Sequence, residues 1–169
     1  MQYPQWWERL VAGIIDGVIM AIVTILITTI LIAIGGTSGT AIRILGFFAA
    51  LINTALIVGY KVFFESGKWQ ATPGKMVFGL KVVDESGQRA PVMQVLMRTW
   101  PWWLNLLSAL AALLIIGGTL ISLLIALAII GIFCTFFMPP GGRCLHDTTA
   151  KMYVIKAGPG LIQTAAQPK

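Results

Sequence analysis

The sequence predicts an all-α membrane protein, a four-helix transmembrane bundle with both termini cytoplasmic and a small cytoplasmic loop or hairpin between the second and third helices. Hydrophobic residues make up 57% of the 169-residue chain and charged residues only 11%, whereas an average soluble domain is about a quarter charged. The hydrophobic residues come in blocks long enough to cross a bilayer. These blocks lack the apolar and polar alternation of membrane β-strands, so the membrane-embedded part is predicted to be helical.

The first two helices are predicted over residues 8–34 and 44–64. Each segment is at least as long as the run of about 20 apolar residues that a membrane-spanning helix needs. The glycine-rich stretch 35–39 between them is typical of a turn. The first two helices are therefore expected to form a hairpin.

The third hydrophobic block, residues 102–138, is too long for one crossing. A helix of this length would measure about 55 Å, against a hydrocarbon core of about 30 Å. Gly117 and Gly118 supply a break near its middle, which divides it into helices over about 98–116 and 119–138. Two prolines and two glycines after residue 138 then end the last helix.

The distribution of positive charge supports four crossings and sets their direction. With four crossings, all twelve lysines and arginines except Arg43 lie on the side of both termini and the 65–97 loop. Cytoplasmic segments carry the Lys/Arg excess, so we expect a multi-pass protein of the bacterial inner membrane with cytoplasmic termini. Residues 1–156 are predicted to form one domain and 157–169 a flexible tail.

The 65–97 loop is the only sizeable polar stretch between the predicted helices. The run Thr72-Pro73-Gly74-Lys75 indicates a turn, residues 76–83 a short extended segment, and residues 84–87 a second turn. A small hairpin at the membrane surface fits this pattern, but an interfacial loop with snorkelling lysines is the preferred interpretation.

Asp16 is the first candidate functional residue, because it is the only charged residue between Leu10 and Ile34. A carboxylate at membrane depth must be protonated or given a partner. Arg9, seven residues upstream, returns to within about 20° of the same helix face, but an arginine in the first turn points toward the N-terminus and away from Asp16. Asp147, beyond the last helix, is therefore the expected partner of Arg9.

Two roles are open for Asp16. It can alternately bind a proton and a small cation, or it can pair permanently with an arginine such as Arg98 or Arg9 and hold the bundle in register. Gly13 and Gly17 flank it in a G-x-x-x-G arrangement that permits close helix contact and favours a packed acid. The candidate helpers for cation binding are oxygen-bearing side chains of the first two helices: Thr24, Thr28 and Asn53.

The segment after the last predicted helix contributes Arg143, His146 and Asp147. An Arg and an Asp four residues apart beside the bilayer can pair with each other or with another helix. His146 can carry protons near neutral pH, although a surface histidine at a helix end is the commoner case. Two cysteines and one histidine form no recognisable metal site.

Several spaced motifs point to one family. They are Arg9 with Asp16, Thr72-Pro73-Gly74-Lys75 followed by Gly79-Leu80-Lys81-Val82-Val83, Arg98 before the third helix, and Leu145-His146-Asp147 with Ala150 and Val154. From about Trp6 to Lys156 the chain resembles the RDD family of small bacterial membrane proteins, named for one Arg and two Asp. The positions that match the name are Arg9, Asp16 and Asp147. The resemblance implies transport of unknown ligands, and some members of the family are described as sodium/proton antiporters. One departure is that the 104–138 region here adds no charge that a transporter could use.

The function expected from these observations is transport of a small ligand or a monovalent cation, in its sharpest form sodium/proton exchange at Asp16. The alternative is a non-transporting membrane module that binds lipid or another membrane protein. Four helices are few for a lone transporter, so a homo-oligomer is expected. The net charge of +6 indicates anionic lipid headgroups rather than nucleic acid as partners. No nucleophile with an adjacent base and no cofactor loop appears, so neither enzyme activity nor a cofactor is expected.

Overall fold

Helices dominate the computed structural model, which describes residues 2–35, 38–114, 118–134 and 143–157. The elements in chain order are α1 (Trp6–Gly35), α2 (Gly39–Glu65), α3 (Pro73–Val77), β1 (Leu80–Asp84), α4 (Val92–Arg98), α5 (Trp100–Leu114), α6 (Gly118–Cys134), α7 (Leu145–Thr149) and β2 (Met152–Lys156). The predicted predominance of helix is confirmed.

Helices α1 and α2 are long and apolar enough to cross a membrane, over Trp6–Ile34 and Gly39–Glu65. At 1.5 Å per residue both exceed the hydrocarbon core of about 30 Å. Their apolar side chains face largely outward, as lipid-facing side chains do. Helix α2 begins five residues before the predicted start, because the Ser38 hydroxyl caps it by accepting a hydrogen bond from the backbone N–H of Ala41.

The predicted helix 98–116 begins two residues later in the structure, as α5, and the short helix α4 precedes it. Helix α4 ends at Arg98, where the backbone N–H and the hydroxyl of Thr99 both donate to the Leu96 carbonyl. Pro101 then lies in the first turn of α5, a position that proline tolerates. Helix α5 packs against α2 and α6. The predicted break at Gly117, the stop after residue 138 and the tail from residue 158 lie outside the described residues.

The predicted hairpin in the 65–97 loop needs correction. The extended run begins at Leu80 rather than at residue 76, because Pro73 starts the short helix α3. Strand β1 pairs antiparallel with the distant strand β2, with Val82 opposite Val154. The turn after β1 is present, since the Asp84 carboxylate accepts hydrogen bonds from the backbone N–H groups of Ser86 and Gln88. Within the loop, the only feature of a local hairpin among the described residues is an isolated antiparallel bridge between Val83 and Arg89.

The buried hydrophobic core lies beside these strands and not between the long helices. It comprises Ala12, Leu80, Val82, Ala90, Val95, Ala150, Met152 and Val154. Only Ala12 comes from α1, and the other members belong to the segments that follow α2 and α6. The polar segments therefore fold as a compact cap on one end of α1 and α2, and this cap positions the charged residues.

Candidate functional site

Five ionised side chains form a continuous cluster of ion pairs at this end of the helices; we call it the ion-pair cluster. Arg98 is central, with Nη1 2.5 Å from Oε2 of Glu65 and Nε 2.5 Å from Oδ1 of Asp147. The Nζ of Lys75 lies 2.6 Å from the other oxygen of Glu65, and Arg9 pairs with the other oxygen of Asp147. Both acids are 1% exposed. The predicted pairing of Arg9 with Asp147 is therefore present, as part of a larger network.

Electrostatics keep the cluster charged. Burial raises the pKa of the Asp147 carboxyl, but attraction by Arg98 and Arg9 outweighs burial and holds the pKa well below its ordinary value. Burial lowers the pKa of Arg98, and its two carboxylate partners more than reverse that shift. For Lys75, burial and repulsion by Arg98 outweigh attraction by Glu65 and lower the pKa to about 8. Lys75 is thus the member of the cluster whose charge is most easily changed.

Asp16 lies next to the ion-pair cluster and is held by neutral donors. Its Oδ1 accepts hydrogen bonds from the Tyr60 hydroxyl at 2.7 Å and from the backbone N–H of Gly74 at 2.8 Å, and its Oδ2 accepts one from the Thr72 hydroxyl at 2.5 Å. A carboxylate can accept about four such bonds. The proposed pairing of Asp16 with Arg98 is wrong, because Arg98 pairs with Glu65 and Asp147.

The Thr72-Pro73-Gly74-Lys75 motif wraps around this acid. Thr72 and Gly74 supply hydrogen bonds to Asp16, Pro73 starts α3, and Lys75 pairs with Glu65. A Cβ atom added at Gly74 would lie 2.1 Å from the carbonyl oxygen of Ala12 and 3.0 Å from Cγ of Asp16. Only glycine permits this approach of the loop to α1. Asp16 therefore anchors the cap to the first helix.

Gly13, Gly17 and Gly79 do not make the kind of close contact that Gly74 makes. A Cβ added at Gly13 or Gly17 meets no atom within 4 Å, so the expected close helix contact at this G-x-x-x-G is absent from the described residues. Gly79 has a φ of +62°, which glycine adopts without strain. Lys81 lies on β1 opposite Ile155, away from the ion-pair cluster.

The residues of and before α7 divide between the cluster and the sheet. His146 is buried, with Nε2 3.4 Å from Oδ1 of Asp147; burial and repulsion by Arg98 outweigh Asp147 and lower its pKa to about 3, so its imidazole is neutral at physiological pH. Its burial contradicts the alternative of a surface histidine, and the lowered pKa disfavours proton transfer near neutral pH. Arg143 stacks on the Tyr153 ring at 3.8 Å instead of joining the cluster.

Cys144, His146 and Asp147 have ligand atoms within 4.8 Å of one another. Arginines already pair with both oxygens of Asp147. Burial raises the pKa of the Cys144 thiol to about 11, whereas a metal needs the thiolate. This arrangement is a poor site for a cation.

A cavity of about 340 Å³ opens beside Asp16; we call it the basic cavity. Four cations line it: Arg9, Lys61, Lys75 and Arg98. Its apolar wall consists of Leu10, Ile14, Met20, Ile57 and Trp102. The ammonium of Lys61 lies 5.8 Å from the centre of a Trp102 ring, within the range of cation–π attraction.

The predicted cation-binding helpers are not assembled around Asp16. Asn53 lines a second cavity, between α2 and α5. Thr24 and Thr28 are half-buried on α1 and line neither of these two cavities. The residues that do surround Asp16, namely Tyr60 and the Thr72 motif, come from the end of α2 and the loop after it.

Sequence analysis missed Glu65, Tyr60 and Lys61 as members of the site. Glu65 reads as an ordinary polar residue at the end of a helix. A usable signal was the position of Tyr60 and Lys61 one turn before that end, at the depth of Arg9 in the neighbouring helix. The burial of Glu65 could not be predicted, because it depends on which segments of the chain meet around this residue.

Comparison with known proteins identifies the family. A family model described as RDD family matches residues 3–151, a range that contains α1 through α7 and every residue of the ion-pair cluster. No curated protein and no solved structure matches the chain. The family and the two long apolar helices together indicate a membrane protein. Because the match covers most of its 169 residues, the chain belongs to the RDD family.

Proposed function

We propose that this protein is a membrane module that binds an anionic lipid in the basic cavity, with the headgroup on the cations and an acyl chain on the apolar wall. The observation that carries this proposal is an excess of positive charge in a cavity that also has an extended apolar wall. This is the non-transporting alternative of the sequence analysis, now with a defined site.

The charge balance of the site favours a single negative charge on the ligand. Three acids lie in or beside the basic cavity: Asp16, Glu65 and Asp147. Against its four cations they leave a surplus of one. Lys61 supplies the surplus, since no acid of the described residues forms an ion pair with it and its ammonium rests over Trp102. A phosphodiester headgroup carries the one charge that would balance Lys61.

The apolar wall makes a lipid a better fit than a small soluble anion. A volume of about 340 Å³ is at the lower end of the usual range for ligand cavities, about 300–1,000 Å³. Leu10, Ile14 and Met20 of α1 face Ile57 and Trp102 across the cavity. These side chains can cover an acyl chain and offer it no hydrogen-bond partner.

The membrane arrangement we propose is four crossings by α1, α2, α5 and α6, with both termini in the cytoplasm of a bacterial inner membrane. The ion-pair cluster supports it, because residues from the start of α1, the end of α2, the segment before α5 and the segment after α6 meet at one end. The excess of lysine and arginine then falls on the cytoplasmic side. We also propose a homo-oligomer, since the outward apolar faces of so small a bundle offer ample surface for one.

The Lys61→Gln variant is expected to bind anionic lipid about 10- to 150-fold more weakly, because loss of one charge-assisted hydrogen bond removes about 1.5–3 kcal/mol. Binding is measured with spin-labelled phosphatidylglycerol in phosphatidylcholine nanodiscs that contain the full chain. Lys81→Gln is the matched control, as Lys81 lies outside the cavity, and should bind normally. Equal binding by the Lys61→Gln variant and the unchanged protein would refute the proposal.

Cation/proton exchange at Asp16 is the second candidate function, favoured by the position of Asp16 on the wall of a cavity. Exchange requires the carboxylate to leave Tyr60, Thr72 and Gly74 and to attract a cation past four positive groups, which repel it. If exchange occurs, proteoliposomes show cation-driven proton flux that Asp16→Asn abolishes. A lipid-binding module shows no flux in either protein, so this experiment separates the two functions.

A further inference from the structure

A second cavity, of about 510 Å³, lies between α2 and α5. It is closer than the basic cavity to the start of α2. Its polar lining consists of Arg43, Asn53, Thr54, Asn105 and Ser108; we call it the amide cavity. We propose that the amide cavity is a water-filled vestibule that binds a small hydrophilic oxyanion. This site is separate from the lipid site proposed above and does not depend on it.

The polar side chains of the amide cavity lie at a depth where lipid cannot satisfy them. Asn53 is near the middle of α2, the helix long enough to span the membrane. Its Oδ1 is buried and accepts no hydrogen bond from the described part of the chain. An unmet amide carbonyl in an apolar medium costs several kcal/mol. Water in the cavity supplies the missing donor, and the volume is ample, since one water needs about 10–15 Å³.

The lining is built for a negative solute. Arg43 supplies a positive charge, and the described lining of the amide cavity contains no acid. The amide groups of Asn53 and Asn105 add N–H donors, and Thr54 adds a hydroxyl. A cleft lined by one sign of charge and bounded by apolar walls concentrates ions of the opposite sign. Carboxylate, sulfonate and phosphate groups are the chemical classes that such donors recognise.

Ile57 separates the two cavities, because it lies on the wall of both. On α2, the amide cavity is lined by Arg43, Asn53 and Thr54 among others, whereas Tyr60 and Lys61 line the basic cavity. The vestibule therefore ends at this isoleucine. Its ligand is expected to be small and hydrated, because amides and hydroxyls lie among the apolar side chains of the deep wall.

Cysteine labelling tests the proposal without knowledge of the natural ligand. In the full chain with Cys134→Ala and Cys144→Ala, we introduce Asn53→Cys and, separately, Ser108→Cys, a smaller change. Each protein in proteoliposomes is treated with an anionic sulfonatoethyl or a cationic trimethylammonioethyl methanethiosulfonate reagent. Both thiols should react, since only thiols in contact with water form the reactive thiolate, and the anionic reagent should react about tenfold faster because of the cavity's positive potential.

Two controls give the result its meaning. Ile52→Cys, at an exposed position next to Asn53, should face lipid and stay unlabelled. Adding Arg43→Gln should remove the preference for the anionic reagent while labelling continues. Failure of both Asn53→Cys and Ser108→Cys to react, or equal rates with the two reagents, would overturn the proposal. Lipid binding by the basic cavity is measured separately and is unaffected by either outcome.

Discussion

Replacing Arg98 by methionine is expected to destabilise the folded protein by about 3–5 kcal/mol, the usual cost of breaking a buried ion pair. Among the described residues, Arg98 is the one side chain that forms ion pairs with both Glu65 and Asp147, at 2.5 Å each. Without it, each acid retains one cation, Lys75 or Arg9. Each of these carboxylates, which are 1% exposed, then loses the ion pair to one of its two oxygens, and the cap loses one of its two ion pairs to the end of α2.

The loss is measured by thermal unfolding of the purified protein in detergent. Arg43→Met makes the same chemical change at an exposed arginine and should alter stability by less than about 0.5 kcal/mol. The double variant Arg98→Met with Asp147→Asn removes a positive and a negative charge together, so it should recover part of the loss. An Arg98→Met protein as stable as the Arg43→Met control would show that the cluster contributes nothing to the fold.

The charged residues of the sequence predict one pair of the ion-pair cluster but not the others. Arg9 and Asp147 could be paired from the sequence, because they carry opposite charges beside the bilayer on the same predicted side. Arg98 was one of two arginines considered as partners of Asp16, and it pairs with Glu65 and Asp147 instead. Its partner could not be deduced, because the choice between Asp16 and Asp147 depends on how α4 and α7 fold against the cap, and such short helices leave no reliable periodic signal.

The secondary structure elements also differ in how well the sequence predicts them. Helices α1 and α2 could be predicted because a long apolar block leaves a helix as the only way to satisfy the backbone in lipid. The pairing of β1 with β2 could not, since the two strands are short and nearly the whole second half of the chain separates them. A local hairpin was one of two expectations for the 65–97 loop, and β1 pairs instead with the distant strand β2, which buries Val82 and Val154 in one core.

Asp16 illustrates a further limit of reasoning from a buried charge. The energetic argument correctly required partners for this carboxylate, and it directed attention to cations. The partners turned out to be hydroxyls and one backbone N–H. Such donors stabilise an ionised carboxylate without a second buried charge. Arg9 and Arg98 therefore pair with Asp147 and Glu65 instead of Asp16. The Thr72-Pro73-Gly74-Lys75 motif becomes part of the site through its hydrogen bonds to Asp16.

Replacing Gly74 by alanine is expected to destabilise the protein by at least about 3 kcal/mol, the sum of overpacking and a lost hydrogen bond to a charged acceptor. The added methyl would meet the backbone oxygen of Ala12 at 2.1 Å. A backbone atom of α1 cannot rotate aside, so the loop must move away from the helix. The Gly74 N–H then leaves Asp16, and Thr72 moves with it, so a buried carboxylate loses two of its donors.

The Gly74→Ala variant is compared with Gly59→Ala, because a Cβ at Gly59 meets nothing within 4 Å and alanine favours a helix by up to about 1 kcal/mol. The control should therefore be as stable as the unchanged protein or slightly more so. Adding Asp16→Asn to Gly74→Ala should recover part of the loss, since a neutral amide tolerates the missing donors better than a carboxylate does. Equal unfolding temperatures for Gly74→Ala and Gly59→Ala would mean that Asp16 does not hold the cap, and the central position given to this acid would be wrong.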